Sequence, residues 1–600
     1  MMSTHFVLKC EEYAIKNFSL KGLRPAQKEV LQELFEKKYL IATLPTGAGK
    51  TLLYSLPALF FDDAPVLVIS PLLSLMRDQE RRMEDAHISC ALLCSEQSEH
   101  EKKHAWQKIR SREAKIIFVS PERFVFPSFL NALSHTKLSM AVIDEAHCVV
   151  SWGAHFRPEY LEIGKILNTL RPPRILALTA TAGRNCRQEI AKRVFPEKTL
   201  VSQYVSAPLG PNIFVESIHF SSQEQRWHTF TEILKNTSSP KTLVYFQTRL
   251  LCEESALKLK KLKFPAIVYH AGLEKSHKKQ VEQQLSSSSQ KMIVCATTAF
   301  GMGVDIAGIE LVVVMGFPND IEALFQMLGR AGRGGEQAWG LLLWTNADPL
   351  KRWYQLQKTL PPPSVFLKQC QAFASWMPAH VGESFFVKKD VLRNILPGKS
   401  QKDKEKNLEN LLGGLRICGL IEDPSPKTPY YLIELAPSVS LTDLLQDLPP
   451  QVTKRKKVLQ ALALLTQPSW AQLKGAKITL RVVSLVTTAC LLPSSCQEVF
   501  LYYQDQKKIS FAKIEHESAT QGVILKNGYN DLQTQLPRYI SARSHFHASL
   551  RELENLAKST TCRLSGSFQF FALHAHPETP KSPTPGRCLQ CDLCMRKRME

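Results

Sequence analysis

The stretch Leu40 to Thr51, with the apolar residues just after it, constrains the fold of this chain more than any other part. Leu40, Ile41, Ala42, Thr43 and Leu44 make an apolar run of strand length, Pro45 to Gly49 break it with turn residues, and Lys50, Thr51, Leu52, Leu53 and Leu56 open a helical pattern. A strand that turns through glycines into a helix N-terminus aims backbone N–H groups at one point. A lysine beside them adds a mobile ammonium, and the combination suits a triphosphate. In this reading Thr46, Gly47, Ala48 and Gly49 form the cradle, with the glycines allowing close approach. Lys50 supplies charge, and the Thr51 hydroxyl is a ligand for Mg²⁺. Leu44 stands where the G-x-x-x-x-G-K-[ST] pattern has its first glycine. An ordinary strand–turn–helix has the same outline, so the reading depends on what accompanies it.

Six hundred residues are too many for one core, and roughly three to five domains are expected. A formal charge of +21 implies a polyanionic partner, either nucleic acid or an anionic membrane surface. Met1 to Glu12 lack the basic start and apolar core of a signal peptide, and the longest uncharged apolar stretch, Val482 to Leu492, is too short to span a bilayer. A soluble intracellular chain is expected. The 15 cysteines are mostly scattered through apolar segments, where free Cys packs as a small hydrophobe, so disulfides are not expected.

Beyond the cradle, short apolar strands alternate with polar helices: Pro65 to Ser70, Lys115 to Val119, Met140 to Ile143 and Arg174 to Leu178. This rhythm predicts an α/β fold with a parallel sheet covered on both faces, whose ligands gather at the carboxyl ends of the strands. Asp144 and Glu145 sit at one such end. Adjacent carboxylates after a buried strand are costly unless a cation or donors compensate them. With the cradle, Asp144 can hold Mg²⁺ while Glu145 orients and deprotonates a water, which implies nucleoside triphosphate hydrolysis. A solvated acidic pair is the alternative. Upstream, Gln27 precedes an amphipathic helix with Val30, Leu31 and Leu34 on one face. Its amide suits an adenine edge, and equally a solvent-exposed position.

A second β/α series starts at Lys241 to Tyr245 and continues through Pro265 to Tyr269 and Met292 to Ala296 without a second cradle. It offers Gln326, Arg330 and Arg333 at a glycine-rich helix end. Guanidinium groups spaced three apart suit neutralisation of charge developing on a γ-phosphate, or a solvated basic helix end.

Taken together, Leu23 to Gln27, Leu44 to Thr51, Ser70 to Gln79, Ser120 to Arg123, Asp144 to His147, Cys148 to Tyr160, Leu178 to Ala182 and Gln326 to Gly334, in that order, resemble a RecQ-type DNA helicase of superfamily 2 over roughly the first 350 residues. The resemblance implies two tandem RecA-like domains, at 1–205 and 206–350, that bind ATP and Mg²⁺, move 3′ to 5′ on single-stranded DNA and unwind duplexes in recombination or repair. It places Arg24 and Gln27 at the nucleotide, and Arg330 and Arg333 as sensors or finger with Gln326 assisting. Trp152, His155, Phe156 and Arg157 fall in a segment that resembles the family's aromatic-rich loop, which couples DNA binding to hydrolysis. Aromatic faces and a guanidinium beside the carboxylates can stack on single-stranded bases. Two departures stand out. Ala154 and His155 replace the His-Asp usual after the loop's Trp-Gly, and Leu20 replaces a Tyr that stacks on adenine.

From about Pro349 these motifs stop, and Pro361 to Pro363 mark a linker, placed at 351–380. Phe385 to Tyr431 read as a winged-helix-like unit within 381–440, with a helix bearing Leu408, Leu411, Leu412, Leu415 and Ile417 and a hairpin through Ile421 and Tyr430. A second helical or winged-helix-like region spans 441–545, its winged part between Val499 and Tyr539. Lys454 to Lys457 form a basic run that can touch phosphates or face solvent. Cys588, Cys591 and Cys594, spaced for convergence, predict tetrahedral Zn²⁺ in the segment 546–600, with Cys562, His574 or His576 as fourth ligand. Similarity to the RecQ zinc module favours Cys562. Its placement about two hundred residues after the motor resembles the branch related to the fourth human RecQ-type helicase. An RNA-directed helicase and a DNA-binding scaffold with a vestigial motor are the competing functions.

Overall fold

The computed structural model describes residues 2–149, 160 and 163–376 apart from short breaks (62, 72, 95–96, 126, 197–198, 288–289, 301–305 and 307), most of 384–559 in shorter segments, and Cys591. The chain divides into a unit of Met1–Trp353 with His545–Glu600 and a unit of Tyr354–Ser544.

The first unit opens on a seven-stranded sheet: Tyr39–Thr43 (β1), Val66–Ile69 (β2), Cys90–Leu93 (β3), Ile116–Val119 (β4), Met140–Ile143 (β5), Ile175–Thr179 (β6) and Ser202–Val205 (β7), in the order β3-β4-β2-β5-β6-β1-β7. Every pair is parallel. Because such a sheet is buried on both faces, its central strands are near-continuous apolar runs, and all four residues of β2 and of β5 are fully buried. Alternate residues feed two cores. Ile41, Leu67, Ile69, Ala141 and Ile143 pack with Ile163 and Ile190 on one face, while Leu40, Ala42, Val66, Val68 and Val142 pack with Val30, Leu31, Leu34, Leu53 and Met76 on the other. Each such Val, Leu, Ile or Met side chain contributes roughly 1.5–3 kcal/mol by leaving water.

The strand order fixes the site. β6 lies between β1 and β5, with Thr43 opposite Thr179 and Ile143 opposite Ala177. The loops that leave these three carboxyl ends therefore adjoin, although they are far apart in sequence. An N-terminal helix, Met2–Phe18, buries Phe6, Cys10 and Ala14, and the Phe6 ring packs against Phe35 and Phe60.

A second, six-stranded parallel sheet follows: Ile213–Phe220 (β8), Lys241–Tyr245 (β9), Ala266–Tyr269 (β10), Met292–Ala296 (β11), Ile309–Met315 (β12) and Ala338–Thr345 (β13), in the order β10-β11-β9-β12-β13-β8. The C-terminal part of the helix Leu532–Lys558, from His545 on, returns to this lobe. Ser217 Oγ donates to the Ala557 carbonyl (3.1 Å), Ile321 N donates to Ser549 Oγ (3.2 Å), and Trp353 Nε1 donates to Glu554 (2.9 Å). His545 Nε2 lies 3.5 Å from Glu322 Oε1, to whose other oxygen the Ser549 hydroxyl donates. Burial holds Glu322 above the usual carboxylate range and pushes Asp320, the cap of its helix, up to about 6.

The second unit holds two three-stranded sheets built from Ser384–Lys388 (β14), Ile421–Glu422 (β15), Tyr430–Leu435 (β16), Lys477–Arg481 (β17), Ile509–Ile514 (β18) and Gly522–Lys526 (β19). Their orders are β14-β19-β15 and β17-β16-β18, all antiparallel. This corrects the expected hairpin through Ile421 and Tyr430. β15 pairs with β19, about a hundred residues on, and β16 pairs with β17 and β18. Both segments are short and β-rich, and local sequence carries no mark of which distant strand completes a ladder. The stretch expected as a linker at 351–380 is also ordered differently. It carries the helices Ala347–Thr359 and Pro363–Trp376, with the proline run ending one helix and Pro363 starting the next. Gly414 has a packing reason, since a Cβ there would lie 2.0 Å from Phe366 Cε2. The expected helix is present as Gln401–Ile417, with Leu408, Leu411, Leu412 and Leu415 buried. The basic run begins the helix Thr453–Leu465, where the Arg455 guanidinium stacks 3.3 Å over the Tyr502 ring.

Among the described residues no helix is long and apolar enough to cross a membrane. The described cysteines are free and buried, and burial pushes the Cys10 thiol up to about 12.

Candidate nucleotide site

The loop after β1 has the shape a phosphate cradle needs. Gly47 and Gly49 adopt φ of +79° and +74°, and a Cβ on Gly49 would lie 2.5 Å from Gln27 Nε2, so glycine is required there on two counts. Gln27 is buried. It receives Arg24 N at Oε1 (2.9 Å) and donates from Nε2 to the Ala48 carbonyl (2.9 Å), while Arg24 Nη1 donates to the Gly47 carbonyl (2.8 Å). The Gln27 amide thus braces the cradle with both ends engaged by backbone. The segment before it is held in turn by Glu11 of the N-terminal helix, which accepts from Leu23 N (3.0 Å) and pairs with Lys28 (2.8 Å).

Lys50 Nζ donates to the Leu44 (3.2 Å) and Pro45 (3.4 Å) carbonyls. Burial lowers its pKa, and the Glu145 and Asp144 carboxylates oppose that shift. Thr51 lies between the cradle and the helix Leu52–Phe60. Across the β6 end, Asp144 Oδ2 accepts from Ser70 Oγ (3.3 Å) and Oδ1 from Glu145 N (3.0 Å). Burial, then the neighbouring Glu145 charge, push Asp144 up. Burial also acts to raise Glu145, but His147, Lys50 and Arg330 overcome it and hold this carboxyl well below its usual range. His147 is protonation-prone. Burial alone would lower it, yet the Cys148 sulfur, 3.8 Å from Nε2, and the Glu145 carboxylate, 3.3 Å from Nδ1, raise it. Its Nδ1 also lies 3.1 Å from Thr179 Oγ1, whose hydroxyl donates to the Thr181 carbonyl (3.0 Å). One imidazole thus links the acid pair to the end of β6.

The helix Ile321–Leu328 of the second lobe carries Gln326 and ends at Gly329, just before Arg330 and Arg333. A Cβ on Gly329 would lie 3.4 Å from Thr46 Cβ, and one on Gly47 would lie 3.7 Å from Arg333 Cγ. The segment Gly329 to Arg333 therefore faces the cradle from the other lobe. Arg330 is buried and acts on the Lys50, Glu145 and Tyr245 ionisations. A cradle, an acid pair and two guanidinium groups, from two sheets, meet at one place.

Comparison with known proteins agrees with this arrangement. The DEAD/DEAH box helicase family model matches residues 24–188, and the helicase conserved C-terminal domain matches 225–335. The chain is 35% identical over 332 residues to the ATP-dependent DNA helicase RecQ of Pasteurella multocida (strain Pm70), covering 55% of this chain and 51% of that protein. To the probable ATP-dependent DNA helicase RecS of Bacillus subtilis (strain 168) it is 33% identical over 342 residues, covering 57% of this chain and 68% of that protein. The chain belongs to the RecQ family of superfamily 2 helicases. It spans about half the length of the Pasteurella multocida relative and of the Haemophilus influenzae RecQ, 51% and 52% respectively.

In this RecQ-family chain several expected residues fall outside the described ones: Trp152, His155, Phe156 and Arg157, and also Cys562, His574, His576, Cys588 and Cys594. Cys591 is described. It is buried and bridges to Val215 of β8. Among the described residues no group of three or more His, Cys, Asp or Glu is placed to hold a metal ion. Sequence reasoning quoted Ser70 and His147 within motifs but gave them no role, and it passed over Glu11. The position of Ser70 at the end of β2, the neighbour of β5, was the available signal for the first.

Proposed function

We propose that this chain is an ATP-dependent DNA helicase that couples hydrolysis to 3′–5′ movement on single-stranded DNA and to duplex unwinding in recombination or repair. The observation that carries the reading is the approach of the Gly329 to Arg333 segment to Thr46 and Gly47 across two lobes. Lys50 exchanges its two long carbonyl bonds for phosphate oxygens. Glu145, held ionised, takes the proton of the attacking water, and Arg330 and Arg333 neutralise charge developing on the γ-phosphate, with Gln326 on the helix that ends just before them. The donor set at Asp144 and Thr51 fits a hard divalent cation, and Mg²⁺ held there would offset phosphate charge. Because the fuel contacts both lobes, its binding favours a closed cleft and its loss an open one, which moves a strand lying across them. Relatives named as DNA helicases and the charge of +21 support DNA as the partner, with nucleoid or nuclear association following from it.

Two measurements test this. ATPase stimulation by single-stranded DNA is expected to exceed that by RNA of equal length, and the reverse would establish an RNA-directed enzyme. Strand displacement is expected only on duplexes with a 3′ single-stranded tail, and activity confined to 5′ tails would reverse the polarity. A protein without nucleotide turnover under both nucleic acids would be the scaffold.

The boundaries 1–205, 206–350, 381–440, 441–545 and 546–600 remain our assignment of domains. The two antiparallel sheets with adjoining helices, one of them around Ile433, Leu444, Val458, Leu462 and Phe500, support winged-helix-like units that contact duplex ends at a junction. For zinc, held by Cys562, Cys588, Cys591 and Cys594, the buried position of Cys591 is supporting. Metal analysis of the purified protein is expected to give about one zinc per chain, falling in Cys591→Ser. A metal-free parent would remove the site.

A further inference from the structure

Glu145 is a non-glycine residue in the left-handed region, at φ +48°, at the position the proposed chemistry depends on most. A side chain pays for that conformation, so neighbouring groups must impose it. The peptide between Asp144 and Glu145 sets it, and this peptide is gripped at both ends. Its N–H donates to Asp144 Oδ1 (3.0 Å), and its carbonyl accepts from the hydroxyl of Tyr160 (3.2 Å). Tyr160 is fully buried in the core with Ile143, Ala146, Val149 and Ile163, so packing on its ring limits where the hydroxyl can lie. The strand end is anchored independently by Asp144 N to the Ile69 carbonyl (2.9 Å), and the following turn by Cys148 N to the Glu145 carbonyl (2.8 Å). Of these bonds, only Tyr160 reaches the peptide oxygen from outside the segment 144–148.

We propose that Tyr160 is a positioning residue for ATP hydrolysis, its hydroxyl holding the Asp144–Glu145 peptide in the orientation that aims the Glu145 carboxylate. The inference deepens the reading given above and rests on it. Without the hydroxyl, the peptide oxygen loses this tether from outside the segment 144–148 and the peptide can relax toward an unstrained φ within its remaining bonds, shifting the carboxylate with it. The cradle and Lys50, carried by β1, are not attached to this peptide and keep their geometry.

The test is Tyr160→Phe, which removes one oxygen and keeps the ring. The expected result is a fall of about tenfold in kcat for ATP, the worth of one buried hydrogen bond, with KM for ATP and the melting temperature close to the parent. In a Glu145→Gln background, measured by single turnover, Tyr160→Phe is expected to add no further loss, because the group it aims is already disabled. Unchanged kcat in Tyr160→Phe overturns the proposal, as does an equal loss in both backgrounds. Loss of nucleotide binding or of folding along with kcat would make Tyr160 a packing residue and also overturns it. A parent that does not hydrolyse ATP would instead sink the functional reading itself, so the two failures are distinguishable.

Discussion

ATP turnover by Lys50→Ala is expected to fall by roughly a thousandfold or more, the scale seen when a fixed electrostatic group is removed from a buried site. Lys50 donates to the loop carbonyls of Leu44 and Pro45, it is half-buried, and Asp144, Glu145, Arg330 and Arg333 all act on its charge. The substitution removes the ammonium and leaves the backbone of Gly47 to Gly49 intact, so the protein should stay folded and DNA binding should persist. Steady-state hydrolysis and fluorescence anisotropy on a labelled single strand check both halves. Unwinding retained by Lys50→Ala would mean the site has been misread.

Arg333→Ala carries the second large effect, a loss of roughly a thousandfold in kcat, as when a guanidinium that meets the developing phosphate charge is taken away. Its stem lies against Gly47, in the other lobe from the carboxylates, and it contributes to the field at Lys50. Nucleotide binding without turnover should change far less, because the cradle belongs to the first lobe. Arg333→Lys is expected to rescue poorly, since an ammonium lacks the planar fork. Turnover and binding of a non-hydrolysable nucleotide decide the matter. Equal losses in both would move Arg333 from chemistry to ground-state binding.

Much of the motor was legible because its signals are local. β5 reads as Met140–Ile143 and β9 as Lys241–Tyr245, and both strands have these limits; in β5 an uninterrupted apolar run ending at Asp144 and Glu145 leaves little choice. The same holds for Gly47, Gly49 and Lys50, whose types follow from backbone conformation and charge. What was not legible depends on partners far away in the chain. Nothing in Gly522–Lys526 announces that it completes a ladder with Ser384–Lys388 and Ile421–Glu422. As sequence, the Gln27 amide suits an adenine edge and equally a solvent-exposed position, and only the fold shows it buried with both ends engaged by Arg24 and Ala48. Tyr160 appeared as the last letter of an aromatic motif, and its hydrogen bond to the Asp144 carbonyl follows from three-dimensional packing alone.

The return of His545 to Lys558 onto the second lobe has a consequence for how such a chain can vary. Trp353, the last residue of the motor before the excursion, donates to Glu554 and packs its ring 5.3 Å from His547, so the points of departure and re-entry are neighbours. A segment spliced between two adjacent posts can lengthen, shrink or be exchanged without disturbing the register of either parallel sheet. Sequence order and spatial order then part company, and a segment that trails in the sequence can belong to the second lobe.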